Sequence, residues 1–316
     1  MLKKNSIEII SPSRLHFGFL EISGNNDRSY GGIGLSIDKF STKIIVKKSN
    51  KVKIRINCLD KASFFLNEFC RKKKIKNNYL INIKKSSPKH IGLGSGTQLA
   101  LSIGCAVSKL NNLDLDIKNI SKILNRSLRS NIGLMNFKTG GFLIDLDIKK
   151  KFFTPIGKVF FPEEWKIILI KNLEKGLHGN KEVNAFRKIK KFPRKKNISL
   201  TNLVLLKIYP SIIQNNFEKF SRGITELQDV MGKYFQVFQG GQFSSSEVFN
   251  VLNFLKKEKV LGYGQTSWGP SGFAFFPNLK KAQQMQSKLK EKFSRCNNLE
   301  FIICSGKNDG ANIQLK

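Results

Sequence analysis

The chain has 316 residues, 40% hydrophobic and 25% charged, with 56 Lys and Arg against 22 Asp and Glu. This is the composition of a globular protein with one large or two ordinary domains. It excludes a disordered chain, and no apolar run reaches the ~18 residues of a membrane span. The formal charge of +34 would suit a polyanion partner, but lysine far outnumbers arginine and Asn, Ile and Phe are also abundant, as an AT-rich coding sequence yields whatever the function.

The basic residues fall in runs at 71–76 and 187–196 and are otherwise scattered. No RNA- or DNA-binding motif accompanies them, so they read as solvated faces. Steering of an anionic small substrate is the functional alternative. Neither a specific nucleic acid nor a membrane is expected as a partner. The five cysteines are widely spaced and form no C-x-x-C, which argues against a disulfide framework or a thiolate zinc site and for a reducing cytoplasm. Residues 1–6 lead straight into a strand pattern rather than a signal peptide.

In chain order, residues 7–10 and 13–22 predict strands. Residues 31–37 predict a turn feeding another strand, and 42–46 with 51–57 a hairpin. Apolar residues at helical spacing mark 59–74. A strand at 79–84 enters a glycine loop, with helices at 99–110 and 117–129 and a strand at 140–145. The pattern loosens around 149–162, which sets a domain boundary at 157/158. A strand follows at 165–170, then an exposed, mobile basic stretch after Phe186. The clearest helix is 217–238, with further helices at 248–256 and 279–293 and strands at 273–276 and 301–304. Strands and helices mix irregularly, so the expected class is α+β rather than a regular parallel α/β sheet.

Four clusters carry candidate chemistry. His90-Ile91-Gly92-Leu93-Gly94-Ser95-Gly96-Thr97-Gln98 precedes an apolar helix. Such a loop lets backbone N–H groups close on a phosphate at a helix N-terminus; a plain strand-to-helix turn is the alternative. Arg14 and His16 lie near Arg28, Tyr30, Gly31 and Gly32, a set suited to an anionic substrate. His16 alone also fits a satisfied core histidine. Arg126 and Arg129, three apart on the predicted helix, could each grip phosphate oxygens or simply stabilise the helix C-terminus. Gly264-Gln265-Thr266-Ser267-Trp268-Gly269-Pro270 offers Gln265, Ser267 and Trp268, the last as a flat wall for an aromatic ring or as core.

These clusters in this order resemble the GHMP kinase superfamily, and in detail its β-ribofuranosylaminobenzene 5′-phosphate synthase branch. The similar segments are Ser13–Gly18, Tyr30–Leu35, His90–Ala100, Arg129-Ser130 with Ile132-Gly133, Gly140–Phe142 and Gly264–Pro270, which together span nearly the whole chain. The glycine loop is common to the superfamily; the Gln98 ending and Gln-Thr-Ser-Trp-Gly-Pro are more specific. The resemblance implies a two-lobed α+β fold, residues 1–157 carrying the phosphate loop and 158–316 forming a ferredoxin-like lobe. It implies that phosphoribosyl pyrophosphate reacts with 4-hydroxybenzoate or 4-aminobenzoate, releasing pyrophosphate and carbon dioxide, on the route to tetrahydromethanopterin-type cofactors of one-carbon metabolism.

On this resemblance Gly92, Gly94, Ser95, Gly96 and Thr97 hold the diphosphate with Mg²⁺, and Arg126 and Arg129 assist at a phosphate. Arg14 or His16 pairs with the benzoate carboxylate. Tyr30, Gly31, Gly32, Gln265, Ser267 and Trp268 bind substrate. No metal ligands are assigned, and Asp145 and Glu182 are the acids to test. A homodimer is one option for the assembly. The alternative is an ATP-dependent small-molecule kinase of the same fold, but residues 117–144 contain no Asp or Glu, and such kinases usually bring a carboxylate to the transferred phosphoryl group. Three stretches depart from the family. Asn125 and Ser127 stand where glycines are expected, Leu134-Met135-Asn136 replaces a small hydroxyl-bearing stretch, and His178 takes the place of a serine.

Overall fold

In the computed structural model the described residues are 5–20, 31–49, 53–55, 59–127, 130–145, 159–174, 184–185, 188 and 192–316. The expected boundary at 157/158, the loop 176–179, Glu182, Tyr30 and Arg129 lie outside them.

The chain builds two antiparallel-dominated sheets clad with helices, the α+β class expected. The first sheet contains β1 (Ser6–Phe19), β2 (Gly32–Lys48), β3 (Lys53–Arg55), β4 (Tyr79–Lys85) and β5 (Phe142–Asp145). Its order is β10-β1-β2-β4-β3, with β5 also paired to β2. The β10 strand (Asn312–Leu315) comes from the far end of the sequence and pairs with β1 in register Ile7↔Leu315 to Ile10↔Asn312. The predicted hairpin at 42–57 does not form: β3 pairs in parallel with β4, Lys53 opposite Leu80, rather than folding back on β2. The second sheet, in order β7-β8-β6-β9, contains β6 (Lys166–Asn172), β7 (Tyr263–Gln265), β8 (Gly272–Phe276) and β9 (Leu299–Ser305).

Side-chain alternation divides the cores. Ile167 and Leu169 of β6 join Leu15, Phe17, Leu35, Phe142, Trp165, Phe220 and Phe275 in the core between the sheets. Ile168 and Ile170, pointing the other way, pack with Val248, Leu252, Met285 and Leu289 of the outer helices. A third core lies under α1 (Leu59–Lys73), α2 (Ser95–Leu110) and α3 (Ile117–Ile123), with Phe69, Ile81, Leu101 and Ile103 at its centre. The helix Phe217–Gln239 turns Phe220, Ile224, Leu227, Met231 and Phe235 inward. Residues 194–213 are helical, with a π-turn over Leu203–Ile208, and Phe192 just before them is buried, so this part of the stretch expected to be mobile is built into the fold.

Two helix boundaries differ from expectation in ways that shape the cavity between the sheets. The α2 helix starts at Ser95, four residues earlier than predicted, which puts Gly96 and Thr97 in its first turn. The α3 helix ends at Ile123 rather than 129, because Asn125 and Ser127 adopt left-handed backbone angles, φ 50 and φ 54. Arg126 therefore sits in a loop and shares no helix face with residue 129. A further short helix, α4 (Ile132–Lys138), follows.

Candidate active site

A cavity of about 780 Å³ opens between the two sheets, and the turn that ends β4 forms one end of it. Gly92 and Gly94 have φ of 83 and 77, conformations that side chains resist. Gly94 stands directly before α2, and no side chain caps that helix and no acid occupies its first turn. The positive end of a 16-residue helix is thus left for a ligand. Two guanidinium groups flank the loop. Arg14 Nη1 donates to the Gly92 carbonyl at 2.6 Å, and its Cζ lies 3.3 Å from where a Gly94 side chain would begin. Arg126 Nη2 stands 3.5 Å from the same point at Gly96, with its guanidinium 5.6 Å from the Phe65 ring centroid. Lys61, one turn from Phe65 on α1, donates to His90 Nε2 at 3.2 Å, and both line the cavity. Ser95, Gly96 and Thr97 line it too.

The middle of the cavity belongs to His16 and Ser130. The Gly18 N–H donates to His16 Nδ1 at 3.3 Å, so the ring proton resides on Nε2, which faces Ser130 Oγ at 3.2 Å. Burial, reinforced by the Arg14 charge, depresses the His16 pKa to about 3, so the ring is neutral. The Ile132 N–H also donates to Ser130 Oγ, at 3.3 Å. With both acceptor positions of that oxygen taken, the Ser130 hydroxyl proton is directed into the cavity. The expectation that His16 pairs with a substrate carboxylate is thereby corrected: the ring carries no charge, and both its nitrogens are engaged inside the protein. Gly32 makes room for this pair, since a side chain there would begin 2.9 Å from Ser130 Oγ and 3.5 Å from His16 Nε2. Gly31 closes a turn by accepting from Leu20 N–H at 2.7 Å. Neither glycine lines the cavity.

Another part of the wall is aromatic. Phe19, Met231, Phe235 and Trp268 line it, Trp268 meeting Phe235 edge to face at 5.0 Å. Trp268 is buried, and thus both core and cavity wall. Gln265 is held by its neighbours. Its Oε1 accepts from the Ser244 N–H at 2.7 Å, and its Nε2 donates to Gln239 Oε1 and the Ser267 carbonyl, each at 3.1 Å. Its amide shapes the turn and has no donor left to offer a substrate. The turn is fastened to β1 and the glycine loop. Thr266 Oγ1 donates to the Gly92 carbonyl and accepts from the His16 N–H, both at 3.0 Å, while Ser267 N–H donates to the His16 carbonyl at 2.8 Å. Lys61 and Ser130 line the cavity and Thr266 fastens its wall, and none of the three was given a role from the sequence. The signal for the last was its place inside the Gln-Thr-Ser-Trp motif.

No Asp or Glu lines the cavity among the described residues. Asp145 is committed elsewhere, accepting from the Asn131 N–H at 2.8 Å and its side-chain amide at 3.3 Å. Mg²⁺ in phosphate-handling sites is usually held by one or two carboxylates plus substrate oxygens. The described cavity residues offer only hydroxyl and amide oxygens, which do not fit a protein-held Mg²⁺.

Comparisons with known proteins give the family and the fold. The models for the GHMP kinase N-terminal domain and C-terminal domain match residues 58–137 and 208–295. The chain is 30% identical over 297 residues to the beta-ribofuranosylphenol 5'-phosphate synthase of Methanocaldococcus jannaschii, covering 84% of this chain and 88% of that protein. It is 25% identical over 329 residues to the enzyme of the same name from Archaeoglobus fulgidus, covering 98% and 100%. Among solved structures, homoserine kinase from Cytophaga hutchinsonii superposes with a TM-score of 0.68 at 16% identity over 99% of both chains. Mevalonate diphosphate decarboxylase from Staphylococcus aureus does so at 0.70 and 15% identity over 98% of both. At these identities the structural neighbours establish the GHMP-kinase fold alone.

Proposed function

Starting from the fact that the chain belongs to the beta-ribofuranosylphenol 5'-phosphate synthase family of the GHMP kinase superfamily, we propose that it condenses phosphoribosyl pyrophosphate with a para-substituted benzoate. The observation that carries this reading is one cavity lined both by a glycine loop with Arg14 and Arg126 and by Phe19, Phe235 and Trp268, with no carboxylate in the lining among the described residues. The phenol in its relatives' name favours 4-hydroxybenzoate over 4-aminobenzoate.

The diphosphate lies against the Gly92–Thr97 loop and the start of α2, between Arg14 and Arg126. Fixed N–H and guanidinium donors there stabilise the charge that grows on the leaving oxygen as the C1–O bond breaks. The ring carbon bearing the carboxylate attacks C1, and pyrophosphate departs. The electron pair of the ring–carboxylate bond then returns to the ring, carbon dioxide leaves, and aromaticity is restored without a protein base. Trp268, Phe235 and Phe19 flank the ring. The Ser130 hydroxyl, oriented by His16, donates to the carboxylate. One neutral donor positions that group without holding it as firmly as a guanidinium would, which suits a group that must depart. Mg²⁺ enters this scheme as the companion of the diphosphate substrate, and Arg129 as a further phosphate ligand. The product serves tetrahydromethanopterin biosynthesis. The wide cysteine spacing without C-x-x-C supports a reducing, cytoplasmic setting.

The test is trapping of labelled carbon dioxide from carboxyl-labelled 4-hydroxybenzoate. Release should require phosphoribosyl pyrophosphate and match pyrophosphate formed one for one. The kinase reading predicts instead ADP formation from ATP that depends on an alcohol acceptor. That result without carbon dioxide release would overturn the synthase assignment.

A further inference from the structure

The loop after α3 holds Arg126 between two residues in left-handed conformations, Asn125 at φ 50 and Ser127 at φ 54. Asparagine tolerates this region; serine does so at a cost that glycine would not incur. The loop is nonetheless firmly set. Arg126 N–H donates to the Ser121 carbonyl at 2.8 Å, and Ser121 Oγ donates to the Arg126 carbonyl at 3.0 Å. Ser127 bears a second cost. Its Oγ is shut off from solvent and has no hydrogen-bond partner among the described residues, although Ser127 lines the cavity. Buried hydroxyls are rarely left so, and strained backbone with an unmet donor is characteristic of a site completed by ligand.

We infer that Ser127 is a ligand-binding residue of this chain, whose hydroxyl, turned to the cavity by rotation about χ1, donates to the same phosphate-type oxyanion that Arg126 grips beside Gly96. The inference deepens the synthase reading and rests on it for the identity of the anion, the diphosphate donor. Arg126 Nη2 lies 3.5 Å from where a Gly96 side chain would begin, so this loop stands beside the glycine loop, and Gly96, Arg126 and Ser127 line the same cavity. An anion resting on both loops meets the main-chain N–H groups of one and the guanidinium and adjacent hydroxyl of the other.

Ser127→Gly removes the hydroxyl and relieves the backbone; Ser127→Ala removes the hydroxyl and keeps the strain. Calorimetry with inorganic pyrophosphate should show Kd raised about ten-fold in both variants, the usual scale for a hydrogen bond to a charged group. The melting temperature of Ser127→Gly should equal or exceed that of the wild type. A purely structural hydroxyl would give a lower melting temperature for Ser127→Gly, and that result, or equal pyrophosphate affinity in all three proteins, overturns the inference. The two readings fail separately. Pyrophosphate binding that depends on Ser127 without turnover of phosphoribosyl pyrophosphate and benzoate supports this inference and removes the synthase. Turnover with the same donor KM in all three proteins does the reverse.

Discussion

Replacing each loop glycine by alanine should give three different results, because the three positions meet different surroundings. At Gly92 a new Cβ would lie 2.4 Å from the Thr266 carbonyl oxygen and 3.0 Å from Thr266 Cγ2, at φ 83. Main chain cannot yield there without breaking the junction between the loop and the 265–269 turn. The left-handed penalty and the overlap together amount to roughly 2–5 kcal/mol. At Gly94, φ 77, the neighbours are Arg14 Cζ and Nε at 3.3 Å, which a side chain can relieve by moving. The cost is then the left-handed penalty of roughly 1–2 kcal/mol, and the guanidinium is pushed off its position. At Gly96 the backbone is helical, and only Arg126 Nη2 comes near, at 3.5 Å. Alanine there should stabilise the helix by roughly 0.5–1 kcal/mol while its methyl group fills the space read as the anion site. At this chain length each kcal/mol moves the melting temperature by roughly 1.5 °C. The expected order is Gly92→Ala lowest, Gly94→Ala modestly lowered, and Gly96→Ala at or above wild type. All three should lose pyrophosphate affinity, measured by calorimetry on folded protein. Full pyrophosphate affinity in Gly96→Ala, or a wild-type melting temperature in Gly92→Ala, would refute the assignment of this space.

Arg126→Lys keeps the charge and loses the planar fork, so donor KM should rise about ten-fold with the benzoate KM unmoved; an unchanged donor KM in steady-state assays would separate Arg126 from the anion. Trp268→Phe should raise benzoate KM selectively, whereas Trp268→Ala should cost roughly 3–5 kcal/mol in denaturant titrations. A shift in donor KM alone would reassign that wall. With its folded-state pKa depressed from 6.5 to about 3, His16 is neutral in the native protein where the unfolded chain takes up a proton. Its contribution to stability is therefore fully present above about 6.5, and declines as pH falls toward about 3. Urea titrations at pH 7 and pH 5 should show a smaller loss in His16→Gln than in wild type, and equal losses would place the ring elsewhere.

The long-period features were legible in the sequence. The helix at 217–238 and the strand at 273–276 are each observed to within a residue, since apolar spacing fixed which faces turn inward. The glycine loop before α2 was legible as a loop because Gly92 and Gly94 take left-handed backbone angles that glycine alone adopts freely. What remained hidden depends on partners distant in sequence. The pairing of β3 with β4 could not be read from two adjacent runs that suit a hairpin equally well. The end of α3 was misplaced because Asn125 and Ser127 are ordinary helix residues by propensity; only the Ser121 contacts reveal why the chain turns there. The neutral state of His16 rests on Gly18 and Ser130, and the part played by Thr266 rests on a carbonyl far earlier in the chain. Lys61 is one charge among many on an exceptionally basic chain, and only its contact with His90 sets it apart.

The pairing of β1 with β10 has a consequence for how the protein is made. Ser6 and Lys316 exchange main-chain hydrogen bonds at 3.1 and 2.8 Å, so β1 stays bare along one edge until residues 312–315 have been made and have come to rest beside it. The other end of that strand carries Arg14 and His16. Closure of so distant a contact is expected late in folding, and an uncovered strand edge is a ready template for wrong association. Nascent chains of this protein should thus be most vulnerable to aggregation when translation stalls just short of residue 312.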